Sequence, residues 1–223
     1  KMALEHMTPV VLLTDAFVAN GSGAFKLPDL NDYPAIKPPY VTPEMAGNYT
    51  PYIRNEENQV RYWAIPGQEG YTHILGGLEK DGRTGAISTD PDNHDKMCRL
   101  RAEKVAKIPV PDVDVQGCAD DAELLIVGFG GTYGHLRSAM DEMIADGKKV
   151  ALAHFSYLNP LPANTADVLK YKKVVVAEQN LGQFAGYLRM KVDGFAPYQF
   201  NEVKGQPFVV SELVEAFTEI YNK

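Results

Sequence analysis

Three groups of residues have types and spacings that could do chemistry. The first is Gly128-Phe-Gly-Gly-Thr-Tyr-Gly134, which follows an apolar run and precedes a helical pattern. In that setting backbone N–H groups at a helix start can hold a phosphate or a dinucleotide. The dinucleotide pattern is broken, because Tyr133 stands where a third glycine is required. The next strand ends in His154-Phe-Ser-Tyr157, with no acid to hold a ribose. No Gly-Lys-Ser/Thr follows, which excludes a P-loop. Two readings stay open: a small-anion loop at Gly130, Gly131 and Thr132, or glycines that let helix pack tightly on sheet.

The second group is His154 with Glu178, Gln179, Asn180 and Gln183, all just past apolar runs. A His and a Glu at one sheet edge can form an acid–base pair. The alternative is a core histidine beside a turn glutamate, with the polar loop serving as a protein contact. The third group is Asp90, Asp92, His94, Asp95 and Cys98. It offers metal-ligand types, but Asp90-Pro91 is also a helix start, where a cap and acidic residues suit the helix dipole. We read it as a cap. No Gly-x-Ser-x-Gly elbow or His-Glu-x-x-His motif occurs, so no residue is assigned as catalytic and none as a metal ligand.

The elements that must position these residues are legible from hydrophobic period. Glu123–Gly128, Val150–Phe155 and Lys173–Glu178 are short continuous apolar runs, the pattern of strands buried on both faces. Asp112–Gln116 alternates and suits an edge strand. Leu136, Met140, Met143 and Ile144 recur at the helical period, and Gly147 closes that helix. Further helices are expected over 181–192 and toward the C-terminus, where Ser211 caps and Leu213, Phe217, Ile220 and Tyr221 face inward, with a weak strand at Tyr198–Val203 between them. Alternating strand and helix over 111–223 specifies an α/β domain with an open, mostly parallel sheet and an antiparallel edge strand.

The preceding text is different. Eleven of the 15 prolines lie before Asp120, and residues 21–110 read as an irregular Pro/Gly-rich connecting segment with one helix, Asp90-capped and ended by Pro109. Its tyrosines and Trp63 argue for order, since disordered chains are poor in aromatics. Lys1–Met7 reads as the last turns of a helix, and Pro9-Val-Val-Leu-Leu-Thr-Asp15 as a buried strand lacking neighbours. Residues 1–20 are therefore expected to end an upstream domain, and the chain to be a piece of a longer subunit.

Composition narrows the partners. With 22 basic and 29 acidic residues the net charge is −7, unsuited to nucleic acid or an anionic membrane surface. Cys98 and Cys118 are too few for an iron–sulfur cluster or a four-cysteine zinc site, and their use fits reduced, cytoplasmic thiols.

Several ordered motifs together carry a resemblance. Leu124–Gly134, Tyr157-Leu-Asn-Pro-Leu-Pro162 and Val174-Val-Val-Ala-Glu-Gln-Asn-Leu-Gly-Gln183 resemble a transketolase C-terminal-like domain, in the version found in alpha subunits of 2-oxoacid:ferredoxin oxidoreductases. Pro9–Asp15 is similar to the final strand of that family's thiamine-pyrimidine domain. Gly76-Gly-Leu-Glu79 and Ser88–Met97 resemble its connecting segment, notably in the 2-oxoglutarate-type branch. Lys80 departs from the histidine expected after Gly-Leu-Glu. The resemblance implies a complex that decarboxylates a 2-oxoacid on thiamine diphosphate with magnesium, passes the acyl group to coenzyme A, and sends electrons through iron–sulfur clusters to ferredoxin. It also implies a beta subunit as partner, with gamma and delta subunits as further candidates. The motifs that bind those cofactors are missing here, so this chain is expected to bind none of them and to act as scaffold and interface, through Glu178, Gln179, Asn180 and Gln183.

Overall fold

A computed structural model describes all 223 residues and separates them into two compact units. The second unit, Leu13–Gly23 with Val110–Lys223, contains the sheet. Its strands are β1 (Val115–Gly117), β2 (Leu124–Phe129), β3 (Val150–Phe155), β4 (Val174–Glu178) and β5 (Tyr198–Asn201), in the spatial order β1-β3-β2-β4-β5. β2 pairs in parallel with β3 and β4, β4 in parallel with β5, and β1 runs antiparallel to β3. The sheet is thus mixed and mostly parallel, with its antiparallel pair at one edge.

The continuous apolar runs are explained by burial on both faces. Leu124, Ile126, Val150, Leu152, Val175 and Ala177 face α4 (Tyr133–Ala145) and α7 (Val210–Tyr221). Leu125, Val127, Ala151, Ala153, Phe155, Val174 and Val176 pack on the other side against α5 (Thr165–Val168) and α6 (Gln183–Lys191). Residues 124–127 are wholly inaccessible. Burying each such side chain favours folding by about 1.5–3 kcal/mol, so the central strand anchors every loop at its carboxyl end.

Three boundaries differ from the sequence reading. The edge strand forms at Val115–Gly117 rather than over 112–116, because the side-chain amide of Asn164 takes both the N–H and the C=O of Val113, at 2.9 Å each. The helix expected from residue 181 begins at Gln183. Asn180 Oδ1 accepts from the Gly182 and Gln183 N–H groups, and Gly182 adopts φ +91°. That left-handed φ favours glycine, since a side chain there would be strained whatever the space around it. Ser211 does not cap the last helix; Val209 is the N-cap and makes no side-chain bond, while Leu213, Phe217 and Ile220 are buried as expected.

The first unit, Lys1–Leu12 with Ala24–Pro109, is turn-rich. It has α1 (Met2–His6), the long helix α3 (Pro91–Ala106) and three isolated bridges, Tyr40 to Trp63, Arg54 to Arg61 and Lys80 to Ile87. A short helix, α2 (Ala16–Asn20), belongs to the second unit. Val41, Val60, Tyr71, Met97 and Ile108 are among the few buried residues of the first unit. Pro9–Asp15 is not a strand. Its backbone pairs with no other strand and Val11 and Leu12 are 79% and 84% exposed, as follows for an apolar strand sequence without neighbours to complete its hydrogen bonds.

Candidate functional site

In an open α/β sheet the carboxyl ends of the strands are where ligands and partners sit. Here that edge carries the glycine loop after β2, the Tyr157–Pro162 loop after β3 and the Glu178–Gln183 loop after β4.

His154 and Glu178 do not form an acid–base pair. Side chains alternate along a strand. His154 shares the face of Val150 and Leu152, its ring edge-on to Tyr133 with centroids 5.2 Å apart, whereas Glu178 shares the face of Val174 and Val176. The sheet lies between them. Burial pushes the His154 imidazole below its ordinary value, an effect that the backbone at Phe129 and Gly130 offsets only in part. Its Nε2 is buried and has no partner.

Glu178 is fully buried. Its carboxylate accepts the Phe184 N–H at 2.7 Å and the Ala185 N–H at 2.9 Å. It therefore satisfies free donors at the start of α6 from the end of the neighbouring strand. This corrects its assignment as an interface residue, since no part of it reaches the surface. Gln179 and Gln183 are exposed, Asn180 is half-buried, and Leu181 between them is 81% exposed. Gln179 Nε2 donates to the Gln206 carbonyl at 2.7 Å, holding the loop in place.

The glycine loop is built for packing. A side chain at Gly128 would lie 2.2 Å from Leu136 Cδ1, so this glycine lets α4 close onto β2. Thr132 is buried and spends its hydroxyl on the Phe129 carbonyl at 2.8 Å. At Gly131 an added Cβ would fall 1.7 Å from the Asp15 carboxylate. An acid beside the loop, together with a spent hydroxyl, is the reverse of an anion cradle.

A feature the sequence did not reveal is a cavity of about 450 Å³ at the β1 side of this edge. Asp112, Asp114, Gln116, Tyr133, His154 and Tyr157 are among its walls. The Tyr133 hydroxyl and Arg137 Nη1 both donate to Gln116 Oε1, at 3.0 and 2.9 Å. No sequence signal joins 112–116 to 154–157; only the antiparallel β1–β3 pairing does.

In the first unit the Asp90 group is dispersed among other tasks. Asp90 Oδ1 accepts the Asp92 N–H at 2.9 Å, Asp95 pairs with Arg99 at 2.7 Å, and His94 Nδ1 meets Glu79 Oε2 at 2.6 Å. No three His, Cys, Asp or Glu side chains converge as metal ligands. Glu79 and His94 come from the two segments that resemble the family's connecting region. Lys80 is buried, and its carbonyl accepts from Asn93 Nδ2 at 3.0 Å. No helix is long and apolar enough to cross a membrane.

Comparison with known proteins shows what the chain is similar to. No protein-family model matches the chain. It is 44% identical over 216 residues to the 2-oxoglutarate oxidoreductase subunit KorA of Mycobacterium tuberculosis, covering 96% of this chain and 32% of that subunit. Identity to the 2-oxoglutarate synthase subunit KorA of Methanothermobacter marburgensis is 26% over 227 residues, the whole of this chain and 57% of that subunit. The structure superposes with a TM-score of 0.77 and 30% identity on a 2-oxoglutarate:ferredoxin oxidoreductase from Magnetococcus marinus, solved with 2-oxoglutarate, coenzyme A and succinyl-CoA bound. That match covers 87% of this chain and 34% of the solved chain. The chain thus spans about a third of the length of the Mycobacterium tuberculosis and Magnetococcus marinus chains. Those relatives are subunits of oxidoreductase enzymes, and by sequence and fold alike this chain is a homologue of the KorA-type subunits of 2-oxoglutarate:ferredoxin oxidoreductases.

Proposed function

We propose that this chain is the C-terminal portion of the alpha subunit of a thiamine-diphosphate-dependent 2-oxoglutarate:ferredoxin oxidoreductase, working in the cytoplasm. The complete complex would convert the oxoacid to its acyl-CoA and pass electrons to ferredoxin, and residues 111–223 would serve it as scaffold and subunit interface. The observation that carries this reading is 44% identity sustained over 96% of the chain to a 2-oxoglutarate oxidoreductase subunit. The residues present do not fit the cofactors of such a complex. Two cysteines, one exposed and one half-buried, fall short of a cluster's ligand set. The Gly130–Thr132 loop, with Asp15 against it, is no cradle for a diphosphate. No reaction step is therefore assigned to this chain.

The expected contact surface is the exposed loop of Gln179, Asn180, Leu181 and Gln183, held rigid by the Glu178 cap behind it. Its partner is the beta subunit, with gamma and delta subunits, coenzyme A and ferredoxin reached through the complex. The test is reconstitution of the full-length subunit with its beta partner, followed by size-exclusion chromatography and turnover. Leu181→Ala with Gln183→Ala, at the two exposed positions whose side chains hold no part of the loop, should weaken assembly and lower turnover only in proportion. Normal assembly with lost turnover would show that this edge is an active site instead.

A further inference from the structure

A thiol, an imidazole and a carboxylate stand in line in the first unit. His94 and Cys98 are four residues apart on α3 and so share a face, and Arg101 follows three residues later. Cys98 Sγ lies 3.7 Å from His94 Nε2, within hydrogen-bond reach for sulfur. Across the same ring, His94 Nδ1 meets Glu79 Oε2 at 2.6 Å. Arg101 Nη2 donates to Cys98 Sγ at 3.0 Å. Cys98 is exposed, whereas the half-buried Cys118 belongs to the other unit.

Glu79 comes from outside the helix, and the fold fastens it there. Its carbonyl accepts the Ser88 N–H at 3.0 Å, the next residue bridges Ile87, and Asn93 of α3 donates from Nδ2 to the Lys80 carbonyl at 3.0 Å. A carboxylate only accepts, so Nδ1 carries the ring proton and Nε2 turns a lone pair to the thiol. A nucleophile, a base and a third group that orients the base make up an activated nucleophile. The second carboxylate oxygen, Glu79 Oε1, is buried with no partner. Positive charge on the ring, gained when Nε2 takes the thiol proton, compensates that carboxylate. The guanidinium of Arg101 balances the sulfur left behind.

We propose that Cys98 is a site of thiol–disulfide exchange with a small anionic disulfide, His94 serving as base and Glu79 as the residue that positions it. Arg101 forms no ion pair with any carboxylate of this chain, so its fork is free to receive a carboxylate of the incoming molecule. In the step, the thiol proton passes to His94 Nε2 and the sulfur attacks one sulfur of the disulfide. A new S–S bond forms, the old one breaks, and the departing thiolate takes the proton from His94. Cys98 is oxidised, the released half is reduced, and no further reactant is needed. This assignment goes beyond the oxidoreductase reading and does not rest on it.

The test treats the whole reduced chain with glutathione disulfide at pH 7 and follows the mixed disulfide at each cysteine by mass spectrometry. An ordinary thiol is only a few per cent thiolate at that pH, so full activation gains at most about thirtyfold. Cys98 should react about tenfold faster in the folded chain than in the same chain unfolded by urea, since a more acidic thiol is also a weaker nucleophile. His94→Gln should return it to the unfolded rate. Glu79→Gln should slow it severalfold alone and not at all on top of His94→Gln, whereas a purely structural role would slow both. Arg101→Gln, at an exposed position, should slow exchange with glutathione disulfide severalfold and leave exchange with the cationic disulfide cystamine unslowed. An unchanged rate at Cys118 and an unchanged unfolding temperature confirm that each variant is folded. A Cys98 rate no higher in the folded chain than in urea, or one unaltered by His94→Gln, would overturn the assignment. Faster exchange with cystamine than with glutathione disulfide would overturn the anionic ligand.

Discussion

Glu178→Ala should be among the most damaging single changes to the sheet unit, although the residue reads from sequence as a surface contact. Its carboxylate is fully buried and accepts two backbone N–H groups at 2.7 and 2.9 Å. Hydrogen bonds to an ionised partner contribute about 1.5–3 kcal/mol each, and a buried donor left unpaired costs a similar amount. Alanine removes both bonds and leaves two amides of α6 facing an empty space, so a loss of about 3–5 kcal/mol is expected. Glu178→Gln keeps one acceptor oxygen and turns an NH2 group toward the second amide, and should cost about 2 kcal/mol. The measurement is urea unfolding at pH 7 by circular dichroism, paired with hydrogen exchange at the Phe184 and Ala185 amides. Protection of those two amides should fall about a hundredfold or more in the alanine variant. A loss below about 1 kcal/mol with protection intact would refute the cap.

Two further expectations concern residues that looked chemical in the sequence. Burial holds the His154 imidazole below its ordinary value of 6.5, so the folded state favours the neutral ring. The stability this gives is fully present above 6.5 and is lost as pH falls toward the lowered folded value. The urea midpoint should therefore drop more between pH 7 and pH 5 in the wild type than in His154→Gln, and identical drops would contradict it. Asp90→Ala should destabilise α3 by about 1 kcal/mol through loss of the cap, with no change in zinc content; stoichiometric zinc that vanishes in the variant would make Asp90 a ligand.

The α/β half was legible because its signals are local and agree with one another. β3 occupies the six residues that its apolar run marks, and Leu136, Met140 and Met143 are the buried face of α4. What failed depended on partners distant in sequence. A side chain 51 residues away, Asn164, decides where β1 begins. Sheet alternation, which sequence spacing between separate strands cannot give, puts His154 and Glu178 on opposite faces. Pro9–Asp15 has the composition of a buried strand, but composition supplies no neighbour to pair with it.

The residue types that drew attention first are largely consumed by the fold. Thr132 closes a turn, Gly128 admits α4, Glu178 caps α6 and Asp90 caps α3. A group committed to a buried hydrogen bond cannot also bind a ligand without exposing what it satisfied. Free capacity therefore marks function better than residue type does. In the second unit that capacity lies in Gln183 and in the exposed Leu181 beside it, which suits recognition of a protein surface. That loop carries polar amides and one exposed leucine, the chemistry expected of the contact surface proposed for it.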